Sequence, residues 1–215
     1  MDKDPNETKR KIFVMDYKPD VTSIDGLNQL WQSCRHHWKD TWMDYQNLFE
    51  GKTCVDIGIW KGLLNARAEK QFNCKTKIGV EPNLTNRTDC KKFNPYTKLY
   101  PTIEDLPDTI DTDILLLHGV ICLMGTHWIQ EMENLLSKVN CKHIHIRHLK
   151  TYAIYHGKVC TEKDDRQSNR YNLKSYKESP TTNEIIEFLS KKKFKLTSSK
   201  KTEGENIIMT FKSIS

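Results

Sequence analysis

Val55-Asp56-Ile57-Gly58-Ile59-Trp60-Lys61-Gly62 is the stretch on which the reading of this chain turns. Thr53 to Ile57 is a short apolar run of strand type that stops at Gly58, and Leu63 to Phe72 has helical character. A strand that ends in glycine ahead of a helix lets a ligand approach the backbone with no side chain in the way. The exposed amides at the helix start can then meet polar groups of that ligand. The next strand-like run, Lys77 to Glu81, ends in an acid. Its distance from the first is roughly the twenty-residue interval at which a carboxylate receives the ribose hydroxyls of an adenine cofactor. A dinucleotide fingerprint would place glycine at positions 60 and 63, where this chain has Trp60 and Leu63, so a nicotinamide cofactor loses its main support.

Outward from this unit, strand-like and helical runs alternate. A helix is expected near Asn86 to Phe93, a weak strand near Thr97 to Tyr100 and a continuous apolar strand at Asp113 to Leu117. An amphipathic helix follows from Thr126 to Ser137, with Thr126 as candidate N-cap, and then a strand at His143 to Ile146. After a polar, irregular stretch at 151–180, expected to be an insertion or lid, a helix runs from Thr182 to Lys192. Phe194 to Ser198 and Asn206 to Lys212 flank a polar, turn-like segment and should pair as an antiparallel hairpin. The expected fold is α/β: a Rossmann-like, mostly parallel seven-stranded sheet flanked by helices, with a C-terminal antiparallel hairpin.

Residues 1–50 are expected to form an N-terminal arm and helices packing on the core, and 51–215 the main domain. Leu27, Leu30, Trp31, Cys34, Trp38, Trp42, Tyr45 and Phe49 recur at helical spacing. The three tryptophans serve either as core packing or as the roof of a pocket for a flat acceptor. The 215 residues suffice for one α/β domain with a real core. No apolar run is long enough to cross a bilayer, and Met1 to Arg10 is polar where a signal peptide would be hydrophobic. A cytoplasmic protein without a membrane partner is the expectation. The seven cysteines are scattered with no CxxC pair, as in reduced structural thiols rather than a zinc site or disulfide scaffold.

In these motifs the chain resembles the class I (Rossmann-like) S-adenosylmethionine-dependent methyltransferase family. Val55 to Gly62 is similar to its first motif, and Ile78-Gly79-Val80-Glu81-Pro82-Asn83 to its second. Glu104-Asp105-Leu106-Pro107 and Asp113 to Leu123 are similar to later motifs, and Asn183 to Phe194 with the hairpin to the family's reversed seventh strand. The resemblance covers residues 50–147 and 181–213. It implies S-adenosylmethionine as cofactor and methyl transfer as activity. Carried over by position, Asp56 orients the loop and the cofactor amino group, Gly58 admits the methionine part, and Trp60 and Gly62 count with them as cofactor-binding positions of the loop. Glu81 holds the ribose, Pro82 and Asn83 flank the adenine, and Ile103 and Glu104 contact the ring and its amine. The family's common acid is missing at Thr102. Trp60 stands where many members have glycine, and its bulk would cover the cofactor's amino acid end. His118 would lie near the sulfonium and the incoming acceptor.

A sulfonium methyl is already activated for in-line displacement, so a dedicated base is optional. If the acceptor loses a proton, His118 is the best placed catalytic candidate, with a structural histidine as the alternative. His36, His37, His143, His145 and His148 are weaker candidates. The HxHxxH cluster lacks supporting carboxylates, and no metal is expected. A small-molecule acceptor is favoured. The net charge of +6 and the lysines at 191, 192, 193, 195, 200 and 201 leave RNA, cap or other, as a second acceptor class. A non-catalytic, cofactor-binding member of the fold is the third reading.

Overall fold

A computed structural model describes Ser23, Asp25, Gly26 and residues 46–148, 180–201 and 207–214. The chain divides into two compact units, Met1–His36 and His37–Ser215. In the first, the Gly26 amide donates to the Ser23 hydroxyl at 3.0 Å, a serine-initiated turn. Everything below concerns the second. Trp31, Trp38, Trp42, His36, His37, Cys34, Cys160 and the expected lid at 151–179 lie outside the described residues.

Seven strands make one sheet in the order β3-β2-β1-β4-β5-β7-β6. They are β1 (Thr53–Ile57), β2 (Lys75–Val80), β3 (Lys98–Tyr100), β4 (Ile110–His118), β5 (Val139–His148), β6 (Phe194–Lys201) and β7 (Ile207–Ser213). The first five pair in parallel, whereas β7 runs antiparallel between β5 and β6, so the terminal hairpin forms as expected. Among the described residues the α-helices of this unit are α1 (Gln46–Phe49), α2 (Leu63–Phe72), α3 (Leu84–Phe93), α4 (Trp128–Lys138) and α5 (Thr182–Lys191).

The two faces of the sheet are chemically different. One carries Val55, Ile57, Leu115, Leu117, Ile144, Ile146, Met209 and Phe211, packed with Trp128, Met132 and Leu135 of α4 and Ile185, Phe188 and Leu189 of α5. Both helices present apolar residues three and four apart, the stripe a sheet needs to cover it. The rings of Trp128 and Phe188 meet edge to face, 5.2 Å between centroids. On the opposite face Asp56 points at α2, where it meets Asn65.

Several expected boundaries move, among them those of β2, now Lys75–Val80, and β6, which runs on to Lys201. α4 begins after a 3-10 turn at Gly125–His127, so Thr126 is exposed and does not cap it. α3 starts two residues earlier than expected, because the Asn83 side chain accepts the Asn86 amide and caps it there. β4 and β5 extend beyond their apolar cores, because backbone pairing continues through Ile110↔Val139 at one end and His118↔Arg147 at the other.

The clearest local start signal is at α5. Thr181 accepts the Glu184 amide at 3.3 Å, and the Glu184 carboxylate accepts the Thr181 amide at 2.6 Å, a reciprocal capping box. Thr181→Ala should therefore lower unfolding stability by about 1 kcal/mol in urea titrations, and an unchanged midpoint would show that the cap carries no weight.

Candidate active site

Strand β1 is paired on both edges, with β2 on one side and β4 on the other. The chain winds outward through β2 and β3, then returns to the far side of β1 with β4. The carboxyl ends of β1 and β4 thus flank a topological switch point, where open α/β sheets have a crevice for a ligand.

The turn after β1 is tight. Gly58 has φ 76° and Gly62 φ 68°, and the Gly58 and Ile59 amides both donate to the Val80 carbonyl, at 2.8 and 3.1 Å. A Cβ on Gly58 would collide with the Val120 side chain, and one on Gly62 with Asn94 and Cys90. Gly58 therefore keeps the crevice floor low against the loop after β4, and Gly62 seats α2 against α3. Trp60, half-buried, also adopts a left-handed φ of 50°, which costs a non-glycine residue about 1 kcal/mol or more. Its amide donates to the Glu81 carboxylate at 3.1 Å, a charge-assisted bond that offsets this strain. Lys61 lies over the Trp60 ring, 5.6 Å from its centroid, and pairs with Asp89 at 3.2 Å.

Glu81, only 7% exposed, stands at the end of β2. Its other oxygen accepts the Asn83 amide at 2.9 Å and the Asn86 side-chain amide at 3.3 Å. Three donors on a carboxylate with about four acceptor positions leave it oriented and still able to accept. Pro82 and Asn83 are exposed beside it, and Arg87 donates to the Glu81 and Pro82 carbonyls.

Asp56, 2% exposed, accepts one bond from the Asn65 amide at 2.9 Å, and its Oδ1 is buried without a hydrogen-bond partner. Desolvation raises its pKa to about 7, against the Asn65 bond, and the Glu81 charge adds to the rise. The two acids at the switch point thus differ: Glu81 is held by three donors, whereas Asp56 has an unmet oxygen.

Ile103 is buried in the apolar core, and the Glu104 carboxylate reaches Asn134 of α4 at 3.4 Å. Asp105 accepts both the amide and the hydroxyl of Thr102, at 3.2 and 2.9 Å, which holds a carboxylate beside position 102.

His118 ends β4. Burial first, then the charges of His145 and Arg147, hold its pKa well below the usual histidine value. Its ring meets that of His145 edge-on at 5.1 Å, and His145 shares a hydrogen bond of 3.0 Å with the Thr210 hydroxyl. Burial lowers the His145 pKa to about 3. His148 turns to the other face of β5 and bonds the Pro180 carbonyl at 2.8 Å, so the three histidines do not converge. Among the described residues no group of histidines, cysteines and acids is arranged to hold a metal ion. The five described cysteines are buried thiols, and no described helix is long and apolar enough to cross a membrane.

Sequence reasoning passed over Asn65, Asp105, Val120 and Arg147. Only Arg147 left a readable signal, as the third basic residue in the alternating run His143-Ile144-His145-Ile146-Arg147.

No family model matches the sequence, and no curated protein does. Solved structures do. A possible histamine N-methyltransferase of the SAM-dependent class from Thermotoga maritima aligns over 90% of this chain and 97% of its own, with TM-score 0.57 and 13% identity. The chain has the class I methyltransferase fold. A plantazolicin methyltransferase in complex with a pentazolic desmethylPZN analogue and SAH aligns over 92% of this chain and 96% of its own, with TM-score 0.60 and 13% identity. A putative RNA methyltransferase from Pyrococcus horikoshii aligns over 80% of this chain and 79% of its own, with TM-score 0.52 and 15% identity. In this methyltransferase fold the switch-point crevice described above lies between Gly58 and His118.

The burial of Asp56 has a pH signature. A carboxyl whose pKa is raised on folding binds more protons folded than unfolded, so its contribution is fully present below about pH 4 and is lost as pH rises towards 7. His118 and His145, with lowered pKa values, act oppositely and lose stability as pH falls. Comparing wild type with Asp56→Asn isolates the first effect. The stability difference should shift in favour of the variant by on the order of 4 kcal/mol between pH 4 and 7. A pH-independent difference would mean that Asp56 is not buried in this way.

Proposed function

We propose that this chain binds S-adenosylmethionine in the crevice between β1 and β4 and transfers its methyl group to a small-molecule acceptor. The observation that carries the reading is the pair of buried acids, Asp56 and Glu81, at the ends of adjacent strands on either side of a glycine turn at the switch point. The residues fit the cofactor. Glu81 has acceptor capacity for ribose hydroxyls, and the unmet Oδ1 of Asp56 suits the cofactor's ammonium group. Gly58 brings backbone to the crevice floor, where Val120 is the side chain a bound ligand would displace. Asp105, fixed on Thr102, is the acid available to the adenine amine.

When bound, the cofactor supplies a methyl carbon made electrophilic by a positively charged sulfur. The protein's work is then to align an acceptor lone pair with that carbon and keep water out. Asp56, Gly58 and Glu81 would hold the cofactor, and the chemistry it would supply is displacement at that carbon with sulfur as the leaving group. His118, kept neutral by burial, can take a proton that the acceptor releases, though its low pKa makes it a weak base.

A small acceptor is favoured over RNA because two of the lysines that pointed to RNA are otherwise engaged. Lys191 pairs with Glu187 at 2.7 Å and Lys192 with Glu133 at 2.8 Å.

Titration calorimetry with S-adenosylmethionine and S-adenosylhomocysteine tests the reading. Both should bind, and Glu81→Ala should weaken each by about 10- to 100-fold, the loss of one or two hydrogen bonds to a charged group. Absence of binding to wild type, or equal affinity in the variant, would overturn it.

A further inference from the structure

A strand inside a parallel sheet is normally apolar on both faces, because helices cover both. Strand β5 breaks this rule in an unbroken run on one face, with His148 the one buried polar side chain at the end of the other. Ile144 and Ile146 are fully buried in the apolar core, whereas the alternate positions carry His143, His145 and Arg147. Apolar residues there would cover the sheet without a desolvation cost, so the basic stripe calls for another explanation.

The stripe ends at the site. Arg147 is the register partner of His118, and Leu116, two residues before it, is the partner of His145. Directly paired residues project from the same face, so the Arg147 and His118 side chains rise together from the carboxyl ends of adjacent strands. The Gly119 amide donates to the Arg147 carbonyl at 2.9 Å and locks β5 to the loop that closes the crevice. Asp56 stands on that face too, one strand away on the other side of β4. Buried acids therefore mark the β1–β2 side of the crevice, and a guanidinium marks the β5 side.

Arg147 is half-buried, and desolvation draws its pKa down to about 10, so it stays charged at neutral pH. Burial keeps His118 and His145 neutral, and His143 is also shifted down. Arg147 is thus the one full positive charge of the stripe at pH 7. It has contacts within the chain, and its guanidinium carries five N–H donors in a planar fork. Its planar fork matches an oxyanion in a way that neither lysine nor histidine does.

Resting on the methyltransferase reading above, we infer that Arg147 is the acceptor-recognition residue and that the acceptor carries an oxyanion, a carboxylate or a phosphate, held beside His118. The anion would be bound on the β5 side of His118, which leaves the acceptor's nucleophilic atom to point back across β4 towards Gly58.

The test uses the full-length chain and two probes, benzoate and inorganic phosphate, each titrated with and without saturating S-adenosylhomocysteine. Wild type should bind at least one probe saturably, and which one identifies the oxyanion. Arg147→Met should weaken that binding at least tenfold, and Arg147→Lys should fall between the two. S-adenosylhomocysteine affinity should stay unchanged in both variants, which a merely structural role for Arg147 would not allow. In NMR titrations the bound anion should raise the His118 ring pKa in wild type and not in Arg147→Met. Equal probe affinity in wild type and Arg147→Met, or no saturable binding of either probe to wild type, overturns the inference. Because the probes are also titrated alone, failure of S-adenosylhomocysteine to bind would remove the cofactor reading while leaving the anion result separately legible.

Discussion

The bond from the Trp60 amide to the Glu81 carboxylate joins the turn after β1 to the end of β2, and the carboxyl edge of the sheet is organised around it. It holds a bulky residue in a left-handed conformation that its side chain disfavours. It also fixes an acid that would otherwise turn towards solvent. With the Gly58 and Ile59 amides bonded to Val80, three successive amides of the turn are spent on β2 or its terminal acid. The backbone of the turn is thereby tied to β2, and Val120 is the side chain that lies against Gly58.

The second organising feature is the division of labour between sheet faces. The face under α4 and α5 is predominantly apolar, with His148 bonded to the Pro180 carbonyl at its end, and supplies the cohesion of the fold. The other face buries Asp56, Asn65, Thr76, His145 and Thr210. Burying these groups costs free energy, and their mutual hydrogen bonds recover only part of it, as the unmet oxygens of Asp56 and Asn65 show. Such a cost concentrated near one edge of a sheet is what a binding site requires, since preorganised polar groups must be in place before the ligand arrives.

Much of this was legible in the chain. The run ending at Gly58, the acid at Glu81 and the paired terminal strands are local signals, and they specified the β1–α2–β2 unit and the hairpin. What escaped depends on contacts distant in sequence. Asn65 reads as an ordinary helix residue until α2 docks it against Asp56. Gly62 reads as a ligand-facing glycine, yet the neighbours that demand it are Asn94 and Cys90. Asp105 comes to lie beside Thr102 only because the turn after β3 folds back on itself. The full length of β5 was hidden for a different reason: its alternating basic residues break the apolar run by which a parallel strand is recognised, and those same residues lead to Arg147.

The central claim is that the crevice between Gly58 and His118 is built to receive S-adenosylmethionine. A crystal structure of the chain grown with S-adenosylhomocysteine tests it most directly. The account predicts density in that crevice, with the ribose hydroxyls on Glu81, the amino group on Asp56 and Val120 turned away from Gly58. A ligand bound elsewhere, with Val120 still packed on Gly58 and Glu81 engaged only by Trp60, Asn83 and Asn86, would contradict it.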